Sequence, residues 1–480
     1  MTPERRPPSP GLRPPAEPRS PSEPLVSEPL PSELSSADRS AELVALIRAE
    51  IEAAPDRRIT FARFMESALY EPGLGYYRQA ADRPTDAGDF LTAPETHAIF
   101  GWTVARRIER MWADLGEPDP FGLIEYGAGS GTLAISILEG LRRHGSSGLL
   151  AAIRYEPVEA NQHRLGDLRR RFEKAGFADR LASAGSPSNG SVPVTGVLLA
   201  NEFLDALPVH RVVVRGGELR ELFVTWSDRF VEVVAEPSTK ELGRRLADDA
   251  VELAEGQIAE ICLGLEPWLD EAAARLDRGY VLAIDYGYEA AELYGPRHLA
   301  GTLLGYRGHR VVDDPFTDPG AIDLTAHVDF TALQVLGERR GLRSVALTTQ
   351  SEFLVKSGLE SELRALQESP ETTAQDYLRA RSGIVRMLDP RHMGGFRVME
   401  LEPLAAQRGG PRRTTPPPDN RRGPIGYPSY CRGPEPWATL WVGAGGIAFR
   451  RGSSAELRNP TRAVSRYPAG GSTGCCGRRD

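Results

Sequence analysis

The chain has 480 residues, 40% of them hydrophobic and 26% charged, and carries a net charge of −8 at pH 7. This size exceeds one ordinary compact core, and the acidic balance argues against a nucleic-acid-binding protein. No run of about 18 apolar residues occurs, so we expect no membrane insertion. No apolar segment follows Arg6, and acidic residues such as Glu17 are not typical of a mitochondrial transit peptide, so we expect a cytoplasmic location.

The two ends of the chain differ in composition from its middle. Residues 1–38 contain 11 prolines and cannot build a core, so we predict that they are disordered. Residues 406–480 contain 13 arginines, no lysine and 4 acidic residues, which predicts a disordered basic tail. Two interpretations of the tail stay open. It is either a flexible segment that binds an acidic partner or a stretch read in the wrong frame.

Residues 39–120 predict an N-terminal helical cap. Apolar residues at helical spacing favour one helix from Ser40 to Pro55 and a second that begins at Thr60, its N-cap, and ends at Tyr70. After two loops, residues 96–115 predict a long amphipathic helix that leads into the first strand of the next domain.

Residues 121–405 alternate between strand and helix patterns, which predicts an α/β domain with a doubly wound, Rossmann-like sheet. An insertion at 211–276 is predicted to be β in its first half and helical over 255–276. The segment 286–325 is too long for a plain connection and predicts a functional loop. The predicted strands are 121–126, 151–156, a poorly marked one near 180–184, 194–200, 279–285, 342–348 and 397–399.

A glycine-rich turn follows the first of these strands. Glycines stand at Gly127, Gly129 and Gly131, and a helix begins at Thr132. Glycines let a small ligand approach backbone that carries no side chains. A dinucleotide fingerprint requires a sixth-position glycine where this chain has Thr132, so the spacing argues against that ligand. A turn that merely joins a strand to a helix is the alternative interpretation.

Polar residues also end the other predicted strands. In open α/β sheets ligands bind at the carboxyl ends of the strands, where the strand order reverses. Glu125 lies at the end of the first strand, and Glu156 at the end of the second could hold both hydroxyls of a ribose. Asn201 and Glu202 end the fourth strand, with Asp205 just beyond them. Together these ends predict a cofactor crevice.

Other chemistries leave no motif in the sequence. There is no phosphate-binding P-loop, no His-Glu-x-x-His metal motif and no Gly-x-Ser-x-Gly nucleophile elbow. The four cysteines include no Cys-x-x-Cys pair, so we expect no metal site.

The order of motifs between about 60 and 400 resembles the MidA-like S-adenosylmethionine (SAM)-dependent methyltransferases, a family that includes a protein arginine methyltransferase of respiratory complex I assembly. Two of the motifs, Gly-Asp-Phe-x-Thr-Ala-Pro-Glu and Asn-Glu-x-x-Asp-Ala-Leu-Pro, are specific because the bare fold does not need them. The matching stretches are 63–77, 88–101, 125–133, 200–209, 284–287 and 323–330.

The resemblance implies a class I methyltransferase fold and SAM as the methyl donor. The residues expected to bind SAM are Glu125, Gly127, Gly129, Gly131, Thr132, Glu156, Asn201 and Asp89. Carboxylates could orient a guanidinium and accept the proton it loses, which makes Glu202, Asp205 and Glu95 the candidate catalytic residues. Both Asp205 and Glu95 also fit the role of helix caps.

The histidines and the 305–315 loop are weaker candidates. His327 and His210 are more typical of structural residues than of catalytic bases. The loop is expected to gate or read the substrate.

The methyl acceptor stays open at this point. A protein arginine comes first, with a subunit of a respiratory complex as the partner that the resemblance implies. A small-molecule O- or N-methyltransferase and a SAM-binding assembly factor with little turnover are the alternatives.

Overall fold

A computed structural model describes residues 35–79, 92–182, 193–308 and 310–404, and the backbone of two strands in the C-terminal tail. The predicted disorder of residues 1–34 and of most of the tail lies outside the described residues. The predicted boundary at residue 38 moves, because Ser35 caps the first helix. Its hydroxyl accepts the backbone N–H of Asp38, whose carboxylate in turn accepts the N–H of Ser35.

Within residues 35–79 and 92–120, the N-terminal cap contains four α-helices and one short strand. Thr60 caps the second helix as predicted, with its hydroxyl accepting the backbone N–H of Arg63 at 3.1 Å. Leu43, Ile47 and Ile51 lie on one face of the first helix and are buried against the second. The elements are α1 (Ser36–Ala53), β1 (Arg58–Thr60), α2 (Phe61–Tyr70), α3 (Ala93–Thr96) and α4 (Ile99–Asp114).

The first half of the α/β domain follows the predicted alternation of strands and helices. In the predicted third strand near 180–184, Leu181 forms a bridge with Tyr155, and residues 183 and 184 lie outside the described residues. The elements are β2 (Phe121–Tyr126), α5 (Thr132–His144), α6 (Ser147–Ala152), β3 (Ile153–Val158), α7 (Gln162–Ala175) and β4 (Val194–Asn201).

The insertion forms a separate antiparallel sheet, which the cap joins through β1. The predicted helix over 255–276 is wrong in its first part, because 258–261 is a strand that pairs along the insertion's own sheet. The three-residue spacing of Ile258 and Ile261 fits a helix, but strand pairing overrides this local pattern. The elements are β5 (His210–Arg215), β6 (Glu218–Trp226), β7 (Phe230–Ala235), α8 (Glu241–Asp248), β8 (Ile258–Ile261) and α9 (Leu265–Arg275).

The remainder of the domain returns to the main sheet. The predicted loop 286–325 contains short strands, three of which form a small antiparallel sheet. The elements are β9 (Leu276–Asp285), β10 (Gly287–Tyr288), α10 (Ala290–Leu293), β11 (Leu304–Arg307), β12 (Arg310–Val312), β13 (Asp323–Thr325), β14 (Val328–Asp329), α11 (Phe330–Arg339), β15 (Leu342–Thr349), α12 (Gln350–Ser357), α13 (Leu359–Glu368), α14 (Ala374–Leu388) and β16 (Arg397–Pro403).

The main sheet has six strands in the order β15-β16-β9-β4-β2-β3. β3, β2, β4 and β9 are parallel, whereas β16 runs antiparallel to both of its neighbours. The chain leaves β2 for β3 on one side and later returns to β4 on the other, so the strand order reverses between β2 and β4. This switch point is where an open α/β sheet binds its ligand.

The described part of the tail is a hairpin of β17 (Ala438–Gly443) and β18 (Gly446–Arg451). The hairpin belongs to the second of the two units of the chain, residues 408–480. The composition of the tail predicts disorder here, whereas these two segments pair as strands. The apolar segment around Trp441 and Ile447 has the residue types that favour strands.

One buried ion pair ties the cap to the main sheet. Arg107 of α4 donates from Nε and Nη2 to the two carboxylate oxygens of Glu400 on β16, at 2.8 and 2.6 Å. The Glu400 side chain is only 7% exposed. Removal of one partner from such a pair leaves an unbalanced buried charge.

We therefore expect Arg107→Ala to lower the free energy of unfolding by about 3 kcal/mol or more. Chemical denaturation measures this, with Arg364→Ala as the control. Arg364 forms an exposed pair with Glu360, so its loss should cost less than about 1 kcal/mol. Equal effects of the two substitutions would contradict the role of the buried pair.

Candidate active site

A cavity of about 440 Å³ opens at the carboxyl ends of β2, β3 and β4, at the switch point of the sheet. Its size is that of a small-molecule or cofactor site. One wall is the glycine turn after β2, a second is the turn after β4, and the third comes from the cap and from β13. The site thus combines segments from the whole of the α/β domain and the cap.

All three glycines of the first turn have left-handed backbone, with φ of 69°, 53° and 77° at Gly127, Gly129 and Gly131. A Cβ on Gly131 would lie 2.9 Å from Leu168, so close packing also requires glycine there. A Cβ on Gly129 would meet only the Gly127 carbonyl oxygen, at 3.9 Å. Gly129 therefore faces open space in the cavity, where a ligand can approach its backbone.

The acidic residue that reaches the cavity from β3 is Glu159. Its carboxylate accepts the backbone N–H groups of Gly129 at 2.9 Å and Asn161 at 2.8 Å. The predicted residue, Glu156, does not line the cavity, and Arg275 donates to it at 2.7 Å on a different side of the strand. The reason is that β3 runs two residues further than predicted, to Val158, so the acid beyond its end is Glu159.

Glu125 lies beneath the glycine turn and is almost fully buried. The Tyr155 hydroxyl donates to its carboxylate at 2.6 Å. Burial raises the pKa of Glu125 to about 7, and the hydrogen bond from Tyr155 partly opposes the shift.

The turn after β4 is held by the carboxylate of Asp285, at the end of β9. Its Oδ2 accepts the backbone N–H groups of Phe203, Leu204 and Asp205 at 3.1, 2.9 and 3.3 Å. Glu202, at the start of the turn, has φ of 48°, an unusual value for a residue with a side chain. Strained backbone of this kind is concentrated at functional sites.

Glu202 has one carboxyl oxygen without a hydrogen-bond donor among the described residues. Its Oε1 accepts the backbone N–H of Ala93 at 3.2 Å and the amide of Asn201 at 3.3 Å. Its Oε2 is enclosed, and no donor among the described residues contacts it. Glu202 lines the cavity. Burial of its carboxyl group away from water raises the pKa of Glu202 to about 8.

Asp205, which also lines the cavity, has a second carboxyl oxygen of this kind. The Tyr286 hydroxyl donates to its Oδ2, whereas Oδ1 is enclosed without a donor from any residue that the structure describes. Burial raises the pKa of Asp205 to about 6. Asp205 does not act as a helix cap here, because the carboxylate of Asp285 caps this turn.

Three further residues of the wall were not predicted from the sequence. Tyr77 donates through its hydroxyl to Asp323 at 2.6 Å, and its ring stacks on Tyr70 with centroids 5.6 Å apart. Tyr77 and Asp323 are 246 residues apart in the chain. Both fall in stretches that carried the family resemblance, which is the only signal that could have singled them out.

The other predicted residues have mixed positions. Glu95 and Asn201 line the cavity, and Glu95 also accepts the Thr92 N–H as a helix cap. Thr132 lines the cavity while its hydroxyl accepts from Arg171 at 2.9 Å. Asp89 lies outside the described residues.

The two histidines considered from the sequence, His210 and His327, do not line this cavity. His210 contacts Glu221 at 2.8 Å in the insertion, as a structural residue does. His327 lines a neighbouring cavity, and its burial lowers its pKa to about 4.

The cavity is acidic in its residue composition. Arg164 is the one lysine or arginine among the described residues that line it. The carboxyl groups in its wall are Glu95, Glu125, Glu159, Glu202, Asp205 and Asp323. Such a wall favours a cationic ligand. Over the described ranges no group of three or more His, Cys, Asp or Glu residues could hold a metal ion, and no helix there has the length and apolar character to span a membrane.

Comparison with known proteins gives a consistent result. Residues 103–348 match the model of an S-adenosyl-L-methionine-dependent methyltransferase family. A crystal structure of a Burkholderia thailandensis protein bound to S-adenosyl-homocysteine aligns with a TM-score of 0.69 and 31% identity, covering 76% of this chain and 93% of that one. The chain belongs to this methyltransferase family.

Two curated relatives carry a more specific name. The mouse mitochondrial protein arginine methyltransferase NDUFAF7 is 29% identical over 377 residues, which cover 73% of this chain and 83% of the mouse protein. Its Drosophila melanogaster homologue is 28% identical over 375 residues, 72% of this chain and 82% of that protein. The predicted fold class, enzyme class and cofactor are thereby confirmed.

The size and the charge of the cavity fit SAM. The open face of Gly129 leaves room beside the backbone, and Glu159 presents a carboxylate at the end of β3. The acidic wall suits the sulfonium cation. SAM supplies an electrophilic methyl group when it is bound there.

We expect Gly129→Val to abolish SAM binding, because the β-branched side chain would occupy the open face of the turn and would strain the left-handed backbone. Isothermal titration calorimetry measures the affinity. The matched control is Gly145→Val, since Gly145 has φ of 73° and open space around its Cβ but lies outside the cavity. Wild-type affinity in Gly129→Val would remove the turn from the cofactor site.

Proposed function

We propose that this methyltransferase methylates an arginine side chain of a protein. The observation that carries the proposal is the pair of enclosed, unpartnered oxygens, Glu202 Oε2 and Asp205 Oδ1, beside the cofactor cavity among the described residues. A guanidinium is a planar cation with five N–H donors, and two carboxylates can hold it in one orientation. The relatives named as protein arginine methyltransferases support the same acceptor.

The reaction requires positioning and one proton transfer. Methylation of a guanidinium nitrogen forms a C–N bond, breaks the C–S bond of the donor and releases one proton. Glu202 accepts that proton in this proposal, and Asp205, held by Tyr286, fixes the other edge of the guanidinium. In this proposal Glu159, which accepts the Gly129 N–H, and the open face of Gly129 hold the donor beyond the ends of β2 and β3.

The nature of the acceptor is tested by incubation with radiolabelled SAM and a cell lysate. Label in a protein, recovered as methylarginine after hydrolysis, supports the proposal. Label in small molecules would favour a small-molecule methyltransferase, and SAM binding without label would favour an assembly factor. A respiratory-complex subunit as the substrate and a cytoplasmic location both stay predictions; the named relatives are mitochondrial proteins.

We expect Glu159→Gln to weaken SAM binding by about tenfold or more, because a carboxylate accepts charge-assisted hydrogen bonds that an amide does not match. Glu156→Gln is the matched control, since Glu156 lies three residues earlier, within β3, and pairs with Arg275 outside the cavity. Calorimetry compares the two. Loss of affinity in Glu156→Gln with none in Glu159→Gln would reverse the assignment.

We expect Glu202→Gln to lower kcat by at least about 100-fold with little change in SAM affinity, because an amide cannot accept the proton. The control is Glu117→Gln, an exposed glutamate that shares the left-handed backbone, with φ of 56°. Wild-type turnover in Glu202→Gln would remove Glu202 from the mechanism.

The wild-type pH profile tests the same residue independently. The pKa of Glu202 is raised to about 8, so its carboxyl is protonated below that pH and unable to accept a proton. We expect kcat/KM to increase as the pH rises through about 8. A flat profile between pH 6 and 9 would contradict the assignment. The same raised pKa affects stability. The protonated Glu202 carboxyl makes its full contribution to the free energy of unfolding below about pH 4.5, and this contribution is lost as the pH rises through about 8.

A further inference from the structure

A second, larger cavity of about 960 Å³ adjoins the candidate active site. It lies at the other end of the same sheet edge, between the end of β9, the start of β16 and the last turn of α14. Part of its wall is aromatic. The Tyr286 ring contacts His327 and Phe396, with centroids 5.4 and 5.3 Å apart, and Tyr288 lies 5.4 Å from His327.

Tyr286 is shared by the two cavities. Its hydroxyl donates to Asp205 in the active site, whereas its ring packs on His327 and Phe396 in the second cavity. The wall between the cavities is therefore one side chain thick at this residue. A chain segment in the second cavity would lie next to the residues proposed to hold the reacting arginine.

The two cavities have opposite charge. The active site is lined by six carboxyl groups and one arginine, whereas three arginines and one glutamate, Glu292, line the second cavity within the described residues. The His327 side chain adds no positive charge at neutral pH, because its pKa is lowered by burial to about 4. The basic character of the second cavity therefore comes from Arg386, Arg391 and Arg397.

These arginines differ in how far the protein itself neutralises them. Arg391 is paired with Asp389 at 3.1 Å. Arg397 approaches Glu292 at 3.6 Å, longer than a hydrogen bond, and its Nε is enclosed without an acceptor from the described part of the chain. Arg386 is exposed on the last turn of α14 and lines the cavity. Arg386 and Arg397 are thus placed to bind a carboxylate from outside.

We propose that the second cavity binds acidic residues of the substrate protein that lie close in sequence to the methylated arginine. This inference rests on the proposed arginine methylation and extends it to a substrate class: an arginine flanked by aspartate or glutamate. The target arginine enters the acidic cavity past Tyr286, and its acidic neighbours pair with Arg386 and Arg397.

The test uses two fluorescein-labelled peptides that differ only beside a central arginine. One has aspartates there and the other asparagines, in an otherwise Gly- and Ser-containing sequence. Fluorescence anisotropy measures their binding to the full chain in the presence of S-adenosyl-homocysteine. We expect the aspartate peptide to bind the wild type about tenfold more tightly, and Arg386→Glu to abolish that preference.

Arg379→Glu is the matched control, because Arg379 is an exposed arginine on the same helix, paired only loosely with Asp376 at 3.8 Å, and does not line the cavity. It should keep the wild-type preference. Equal binding of the two peptides to the wild type, or an unchanged preference in Arg386→Glu, would overturn the inference.

Turnover of the same peptides separates the two proposals. An aspartate preference in binding, with no methylation of either peptide, would overturn the arginine activity and leave the acidic-segment site standing. Methylation of both peptides with equal KM would support the activity and remove the site.

Discussion

The candidate active site depends on the buried carboxylate of Asp285. One of its oxygens accepts three consecutive backbone N–H groups after β4, and the other accepts the N–H of Tyr286. These bonds end the strand sharply and turn Glu202 and Asp205 towards the cavity. The arrangement that builds the turn also brings three acidic groups together with little water around them. Burial and the nearby carboxyls of Asp205 and Glu202 accordingly raise the pKa of Asp285.

This concentration of carboxyl groups is costly in the ligand-free protein and favourable when cations bind. Burial raises the pKa values of Glu125, Glu202 and Asp205. Without a bound cation these carboxyl groups are therefore partly protonated near neutral pH. A bound cation lowers these pKa values and releases the protons. Below the raised pKa of about 8, binding of a guanidinium would therefore itself favour the carboxylate form of Glu202 and prepare it as a base.

The sequence predicted the parts of the site that depend on local pattern. The glycine turn needs left-handed backbone at Gly127 and Gly129, and only its spacing was required to find it. The acid after β3 was misplaced, at Glu156 instead of Glu159, because strand ends are the least certain feature of a sequence pattern. The strand β8 was missed because its pairing with β5 joins residues about 50 positions apart, and local periodicity carries no information on such contacts.

The roles of Tyr77 and Tyr286 could not be predicted from local sequence patterns for the same physical reason. Tyr77 of the cap donates to Asp323, and Tyr286, directly after β9, donates to Asp205, so each hydroxyl satisfies a carboxyl from a distant segment. Neither tyrosine has a pattern of its own, because its role exists only after the cap, the sheet and β13 have assembled. Tyr286 also separates acidic from basic surroundings, since it has a carboxyl at its hydroxyl and an arginine-lined cavity along its ring. A substrate that carries both charges side by side is the one that such a wall can orient.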